Sequence, residues 1–249
     1  MTIDWANIST EESHTDPKII VNGDGTPSLD YLKQLRIQSN ASVQNIAQQL
    51  SDEFGLVSEI GNKSDAATLD KSVRPSTLTK YRWFTLAHIR DFLRFRTHLH
   101  RASDFDDVLS LFARLQDKGR ISIIKIDPEK LIRPGLFGWR MVAVDLRIQP
   151  SGLIVEHYMT FREMIEINEK WLHKVYENWR SVNTDDLTTA EQYHLYRDAR
   201  FSNHAYRELL FDGVLRDERD PLRLDPLRRS TQETIVGALA SSLNLNSEL

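Results

Sequence analysis

The chain has no cysteine. That excludes a disulfide framework, a disulfide-linked partner, a thiol nucleophile and cysteine-based zinc sites. It has no run approaching ~20 apolar residues, so no membrane-spanning helix is expected. Its first residues, Met1-Thr2-Ile3-Asp4-Trp5, lack the basic and apolar regions of a secretory signal, and the expected location is the cytoplasm. An excess of positive charge is missing too. Lys and Arg number 32 against 36 Asp and Glu, a net charge of -4. This speaks against a dedicated nucleic-acid coat, which needs surplus cations, but leaves room for a local basic pocket, because arginine is dense between Arg74 and Arg101. P-loop, GxSxG, HExxH, EF-hand and GxGxxG patterns are absent. The histidines, His98 and His100 included, do not have helical zinc spacing. There is no internal repeat.

What is present is ordinary soluble-domain material. Of 249 residues, 40% are hydrophobic and 9% aromatic, enough to bury a large core. Residues 1–27 are polar and acidic and read as a flexible leader with a short strand at Lys18–Val21. A helical stretch follows around Leu29, Leu32 and Leu35. A second helix, Ser42 to Phe54, places Val43, Ile46, Ala47, Leu50 and Phe54 at spacings of three and four. Residues 55–77 are mixed and polar, and a helix is expected over Leu78 to Arg82.

Ile89 to Leu99 alternates like a strand. Phe92, Arg94, Arg96 and His98 fall on one side, and Asp91, Leu93, Phe95, Thr97 and Leu99 on the other. Ser103-Asp104-Phe105-Asp106 caps a helix to about Lys118, with Val108, Leu109, Phe112 and Leu115 facing inward and Gly119 ending it. Ile121 to Ile126 is a β-branched strand. After a loop, Asp127 to Gly138, two alternating strands follow, Arg140 to Ile148 and Leu153 to Thr160. Gln149-Pro150-Ser151-Gly152 suits a type I turn between them. In that register Glu156 faces Asp145. Arg162 to Arg180 is the strongest helix, with Trp171, Tyr176 and Trp179 expected in the core. Further helices are expected over Thr189 to Arg200 and Phe201 to Leu210, an extended segment over Arg216 to Arg229, and a short helix at Ile235 to Leu243.

The expected fold class is therefore α+β: a mixed β-sheet flanked by helices, with helical N- and C-terminal additions. The expected divisions are a leader, 1–27, a domain, 28–180, and a helical extension and tail, 181–249.

The order of elements from Ile89 to Arg180 resembles the RelA/SpoT synthetase domain, including its small single-domain and toxin-type members, which implies a nucleotidyltransferase-like fold. The family's Asp-x-x-x-x-Arg is matched by Asp91 to Arg96. Its Gly-Tyr-x-Ser-x-His is matched by Gly138-Trp139-Arg140-Met141-Val142-Ala143, and its Val-Glu-x-Gln-x-Arg-Thr by Val155-Glu156-His157-Tyr158-Met159-Thr160-Phe161. Glu169 and His173 fit the closing helix. A basic-Ser-basic segment upstream is matched by Arg74, Ser76 and Lys80.

The resemblance implies transfer of pyrophosphate from ATP to a ribose hydroxyl of a nucleotide or an RNA. It implies Mg²⁺ held by Asp91 and Glu156, with Glu156 supporting the metal or activating the hydroxyl. Trp139 would stack an acceptor base, and Arg74, Ser76, Lys80, Arg94 and Arg96 would bind nucleotide phosphates. An antitoxin or a second copy is a compatible protein partner.

The chain departs from the pattern at Ala143, Tyr158 and Thr160, where the family has His, Gln and Arg. The alternative is therefore a catalytically degenerate module of the same fold that binds a nucleotide or a protein. A DNA-binding regulator built on the helix pair near Ser42 to Phe54 is the weakest reading, since no basic recognition helix accompanies it. Structural roles compete residue by residue. Asp91 could pair with Arg94 or Arg140, Glu156 with Arg147, and Trp139 could be core. His173 suits a hydrogen-bonded structural role.

Overall fold

The structure is a computed structural model and describes residues 28–74, 77–78, 84–179, 182 and 184–218. The chain divides into two compact units. One holds the described residues up to Thr97 with Val108–Asp127 and Ala143–Tyr158. The other holds His98–Asp107, Pro128–Val142 and the described residues from Met159 onward. Among the described residues no helix is long and apolar enough to cross a membrane.

The first unit is built on α1, Asp30–Phe54, and a five-stranded mixed sheet. α1 is one continuous helix rather than two. Leu32, Leu35, Val43, Ile46 and Leu50 bury one face. Ser39 fills the polar gap in that face, its hydroxyl donating to Leu35 O at 2.7 Å and meeting Ser151 Oγ at 2.7 Å. Gly55, at φ 70°, ends the helix, as a left-handed cap allows.

Residues 55–77 are not a plain loop. They form β1, Ser58–Asn62, and α2, Asp65–Val73. β1 is too short and polar to alternate visibly. It exists because it pairs antiparallel with β2, Leu93–Leu99, in the register Glu59↔Arg96 and Gly61↔Arg94. α2 starts at Ser64, whose hydroxyl accepts from Ala67 N.

β2 is shorter than the alternation suggested. Over Leu93 to Leu99 the odd positions are buried, as expected. Residues 86–88 and 90–92, however, are 3₁₀ turns, so Asp91 sits on a turn before the strand. Phe92 is fully buried rather than alternating outward, and the Arg36 guanidinium lies 4.5 Å from its ring centre.

The sheet order is β1-β2-β5-β4-β3, with β3 at Ile121–Asp127, β4 at Val142–Ile148 and β5 at Ile154–Phe161. Ile148 N–H donates to Leu153 O and Gly152 N–H to Ile148 O. The hairpin turn thus closes one residue wider than a type I turn. β3 and β4 pair antiparallel with an irregularity at Ile124, which brings Lys125 opposite Asp145.

The second unit includes the start of α3, Asp104–Asp117, a short helix α4, Glu129–Ile132, inside the expected loop, and α5, Arg162–Ile167. A π turn over Asn168–Leu172 leads into α6, His173–Trp179. Asp104 accepts from the backbone N–H groups of His100 and Arg101. The π turn shifts the phase of the helix. Leu172 is buried while Trp171 is 68% and Tyr176 43% exposed, against the expectation that both lie in the core. α7 runs from Thr189 to Glu218 as one helix, including residues expected to be extended. The strand at Lys18–Val21, the helix over Leu78 to Arg82 beyond its first residue, most of the segment 216–229 and the helix at Ile235–Leu243 lie outside the described residues.

Candidate functional site

Three carboxylates and three cations converge in the first unit. Asp91 has φ -89° and ψ 17°, the bridge region that active-site residues often adopt. Its carboxylate is buried, and each oxygen has a lysine. Lys63 Nζ donates to Oδ2 at 2.7 Å and Lys71 Nζ to Oδ1 at 2.9 Å. Lys63 is placed by the end of β1, its backbone N–H donating to Phe92 O. Lys71 is placed by α2. Burial acts to raise the Asp91 pKa, but Lys71 and Lys63 together outweigh it and hold the carboxyl below its ordinary range. Neither Arg94 nor Arg140 is its partner.

Asp145, on β4, is paired with Arg90. Burial pushes its pKa up, against the pull of Arg90 and Lys125. Glu156, on β5, accepts from the Tyr158 hydroxyl two residues along the same face, at 2.5 Å. Its pKa is raised, first by burial and then by the negative fields of Asp91 and Asp145, with Tyr158 and Lys71 pulling it back. Arg147 does not pair with Glu156; it donates to Gly152 O at 3.2 Å. The repulsion expected between Glu156 and Asp145 is present, and the cation that relieves it on the Asp145 side is Arg90.

The other sequence candidates fall differently. Arg94 lies beside Gly61, where a Cβ would come within 3.5 Å of its Nε, and its charge acts on the Tyr158 hydroxyl. Arg96 pairs with Glu59 across the β1–β2 ladder. Arg74 pairs with Asp70 one turn back. Ser76 and Lys80 lie outside the described residues. Lys63 and Lys71 went unremarked in the sequence. Their signal was a lysine, Lys63, directly before the Ser64 cap of α2, and a second, Lys71, in the last turn of that helix.

Among the described residues no group of three or more His, Asp or Glu could hold a metal. Mg²⁺ needs less than that, since it binds through one or two carboxylates plus substrate phosphates and water. Of the three carboxylates, Glu156 has a neutral hydroxyl as its hydrogen-bond partner rather than a cation. Asp91 and Glu156 are thus an oxygen donor pair of the right chemistry.

Trp139 belongs to the second unit. Gly138 before it has φ 78°, and a Cβ there would lie 2.4 Å from Asn203 Cα, so only glycine fits. Ser202 Oγ donates to Phe137 O at 2.7 Å. The Trp139 ring meets Tyr206 edge-on at 5.4 Å, and the Tyr206 hydroxyl donates to Asn168 Oδ1 at 2.8 Å. A cavity of about 500 Å³ opens here, lined among others by Lys130, Trp139, Leu172, His173 and Tyr176. His173 is exposed on its helix, 3.5 Å from Glu177, rather than structural.

The chain is similar to the small alarmone synthetase 1 from Bacillus subtilis bound to its product pppGpp, with a TM-score of 0.50 and 14% identity over 79% of this chain and 96% of that one. It is equally similar to another crystal structure of that synthetase, with a TM-score of 0.50 and 14% identity over 77% and 95% of the two chains. The chain therefore has the RelA/SpoT-like synthetase fold. No family model and no curated protein sequence matches it.

Proposed function

We propose that the chain is a RelA/SpoT-like pyrophosphokinase, transferring pyrophosphate from ATP to a ribose hydroxyl of a nucleotide or an RNA. The observation that carries this reading is the Asp91–Lys63–Lys71 cluster in one electrostatic field with Glu156. A bond forms between the acceptor oxygen and the β-phosphorus, the bond between the bridging oxygen and the β-phosphorus breaks, and AMP leaves. The charge to be stabilised is on phosphate oxygens, and fixed cations do this without reorganising.

Lys63 and Lys71 are placed for it: they rest on Asp91 and turn to a triphosphate when one arrives. Mg²⁺, held by Asp91 and Glu156, would neutralise the same oxygens. Glu156, a carboxylate whose proton affinity is raised, suits removal of the hydroxyl proton. Arg94 adds a cation near Tyr158. Arg74 and Arg96 are already paired with carboxylates, which weakens their case as phosphate ligands.

The test is incubation with radiolabelled ATP and, separately, GDP, GTP, AMP and tRNA, followed by separation of products. A labelled product that depends on an acceptor and disappears in Glu156→Gln supports the reading. The alternative is a catalytically reduced module of the same fold that binds a nucleotide or a partner protein. Two features favour it: the Tyr158 hydroxyl occupies Glu156, and Ala143 replaces the histidine of the resembling pattern. Binding of a non-hydrolysable ATP analogue with no product from any acceptor would decide for the nucleotide-binding form.

A further inference from the structure

We propose that the second unit binds a phosphate-type oxyanion between Arg140 and Arg207, residues outside the Asp91–Glu156 cluster. Arg140 is among the largest fully buried side chains, at 0% exposure. Its one hydrogen bond sends Nη1 to Leu131 O at 2.7 Å, while Nε and Nη2 are buried without an acceptor. Arg207, on α7, also has a buried Nε without an acceptor, and its nearest carboxylate oxygen, on Glu208, is 3.8 Å away.

A buried guanidinium is ordinarily matched by a carboxylate, because an uncompensated buried charge is costly. The charge that acts on Arg140 is instead a second guanidinium, that of Arg207. Three N–H-bearing nitrogens therefore lack an acceptor, and a tetrahedral oxyanion offers the matching oxygens in the forked geometry that arginine prefers. Neutral acceptors would satisfy the hydrogen bonds and leave the two charges opposed.

Arg207 also gives the site a way out. Its side chain is 36% exposed and lines an open groove of about 1020 Å³ with Arg197, Arg200, Asn203 and His204. The groove carries further positive charge and Tyr and Phe rings, so the oxyanion could be free or the phosphate of a nucleotide.

The experiment follows the arginine Nε–H resonances by NMR on the whole chain, at constant ionic strength. Inorganic phosphate, pyrophosphate and AMP are titrated against chloride to about 10 mM, covering weak millimolar affinities. Two resonances should shift saturably with a phosphate compound and not with chloride, one of them missing from Arg207→Gln. That variant should bind at least tenfold more weakly. Preference for AMP assigns a nucleotide, and equal response to phosphate assigns a free oxyanion.

Arg140→Met changes the stability of the chain by itself, so Arg207→Gln is the variant paired with a melting curve. Phosphate should raise the melting temperature of the parent chain, and the rise should be lost in the variant. Phosphate binding at Lys63 and Lys71 would persist in Arg207→Gln, which separates this site from the proposed transfer site. Resonances that do not respond to any of the three anions, or a response unchanged in Arg207→Gln, would overturn the proposal.

Discussion

Each compact unit holds a buried charge cluster, and the two clusters are compensated in opposite ways. In the first, Asp91 has a lysine on each oxygen, Asp145 has Arg90, and Glu156 has the Tyr158 hydroxyl. In the second, Arg140 is fully buried with one carbonyl for company and Arg207 as its neighbouring charge. Burial, with Arg207, brings the Arg140 pKa down to about 10. A charge cluster that already contains its counter-ions is stable without ligand and exchanges partners when one arrives. A cluster of one sign is stable only in proportion to what the solvent or a ligand supplies. The difference separates a site that is preorganised from one that waits for its anion.

The largest effect is expected from breaking the balanced side. Asp91→Asn keeps the shape and leaves Lys63 and Lys71 facing each other without a countercharge. Removing one member of a buried pair costs ~3–5 kcal/mol, and the two lysines keep some solvent, so unfolding should show a loss of about 2–3 kcal/mol. The proposed transfer should fall with it. A variant as stable as the parent would mean that the three groups are not coupled as their distances imply.

On the unbalanced side the sign reverses. Arg140→Met removes a buried charge and keeps most of the volume. Replacing buried ionic groups by apolar ones of similar size is often stabilising by ~1–4 kcal/mol. The orphaned Leu131 carbonyl offsets about 1 kcal/mol of that. Denaturant unfolding without phosphate should show a gain of about 1–2 kcal/mol, shrinking as phosphate is added. A loss in phosphate-free buffer would show that Arg140 is held by more than Leu131 O.

This asymmetry was only half legible in the sequence. The sheet was readable because Phe95, Val144, Val155 and their neighbours alternate, and that pattern survives folding. β1 was not readable: a strand such as Ser58–Asn62 is specified by its partner rather than by its own pattern. Asp91 was placed on a strand because alternation runs on across the 3₁₀ turn, which carries no proline or glycine to mark it. Glu156 was legible as a charge in an apolar strand. Its partner was not, because Arg147 and Tyr158 share its face and only the side-chain conformations decide which one reaches it. Lys63 and Lys71 sit in a polar stretch where every lysine looks solvated. Arg140 and Arg207 lie far apart in sequence, and nothing local marks either as buried.

The smallest effect is the most diagnostic. The Glu156 pKa is raised in the folded chain, so the folded state holds that proton more tightly than the unfolded state does. Its contribution to stability therefore grows as pH falls from the raised value toward the ordinary 4.5, and Asp145 adds the same sign toward 3.8. Asp91 has the opposite sign. Its lowered pKa gives stability that is present above 3.8 and is lost as pH falls through the folded value. Stability should thus rise on mild acidification and drop sharply below the ordinary carboxyl range. Glu156→Gln removes the titrating group and keeps an acceptor for Tyr158. At neutral pH it should match the parent or exceed it by up to about 1 kcal/mol. The rise between neutral pH and 4.5 should flatten, leaving only the part due to Asp145, while the acid collapse due to Asp91 stays in place. Thermal melts of both proteins from neutral pH to below 3.8 read all three features. If Glu156→Gln is destabilised at neutral pH and its pH profile keeps the full rise, Glu156 is a structural hydrogen-bond partner, and the balanced cluster reduces to Asp91 and its lysines.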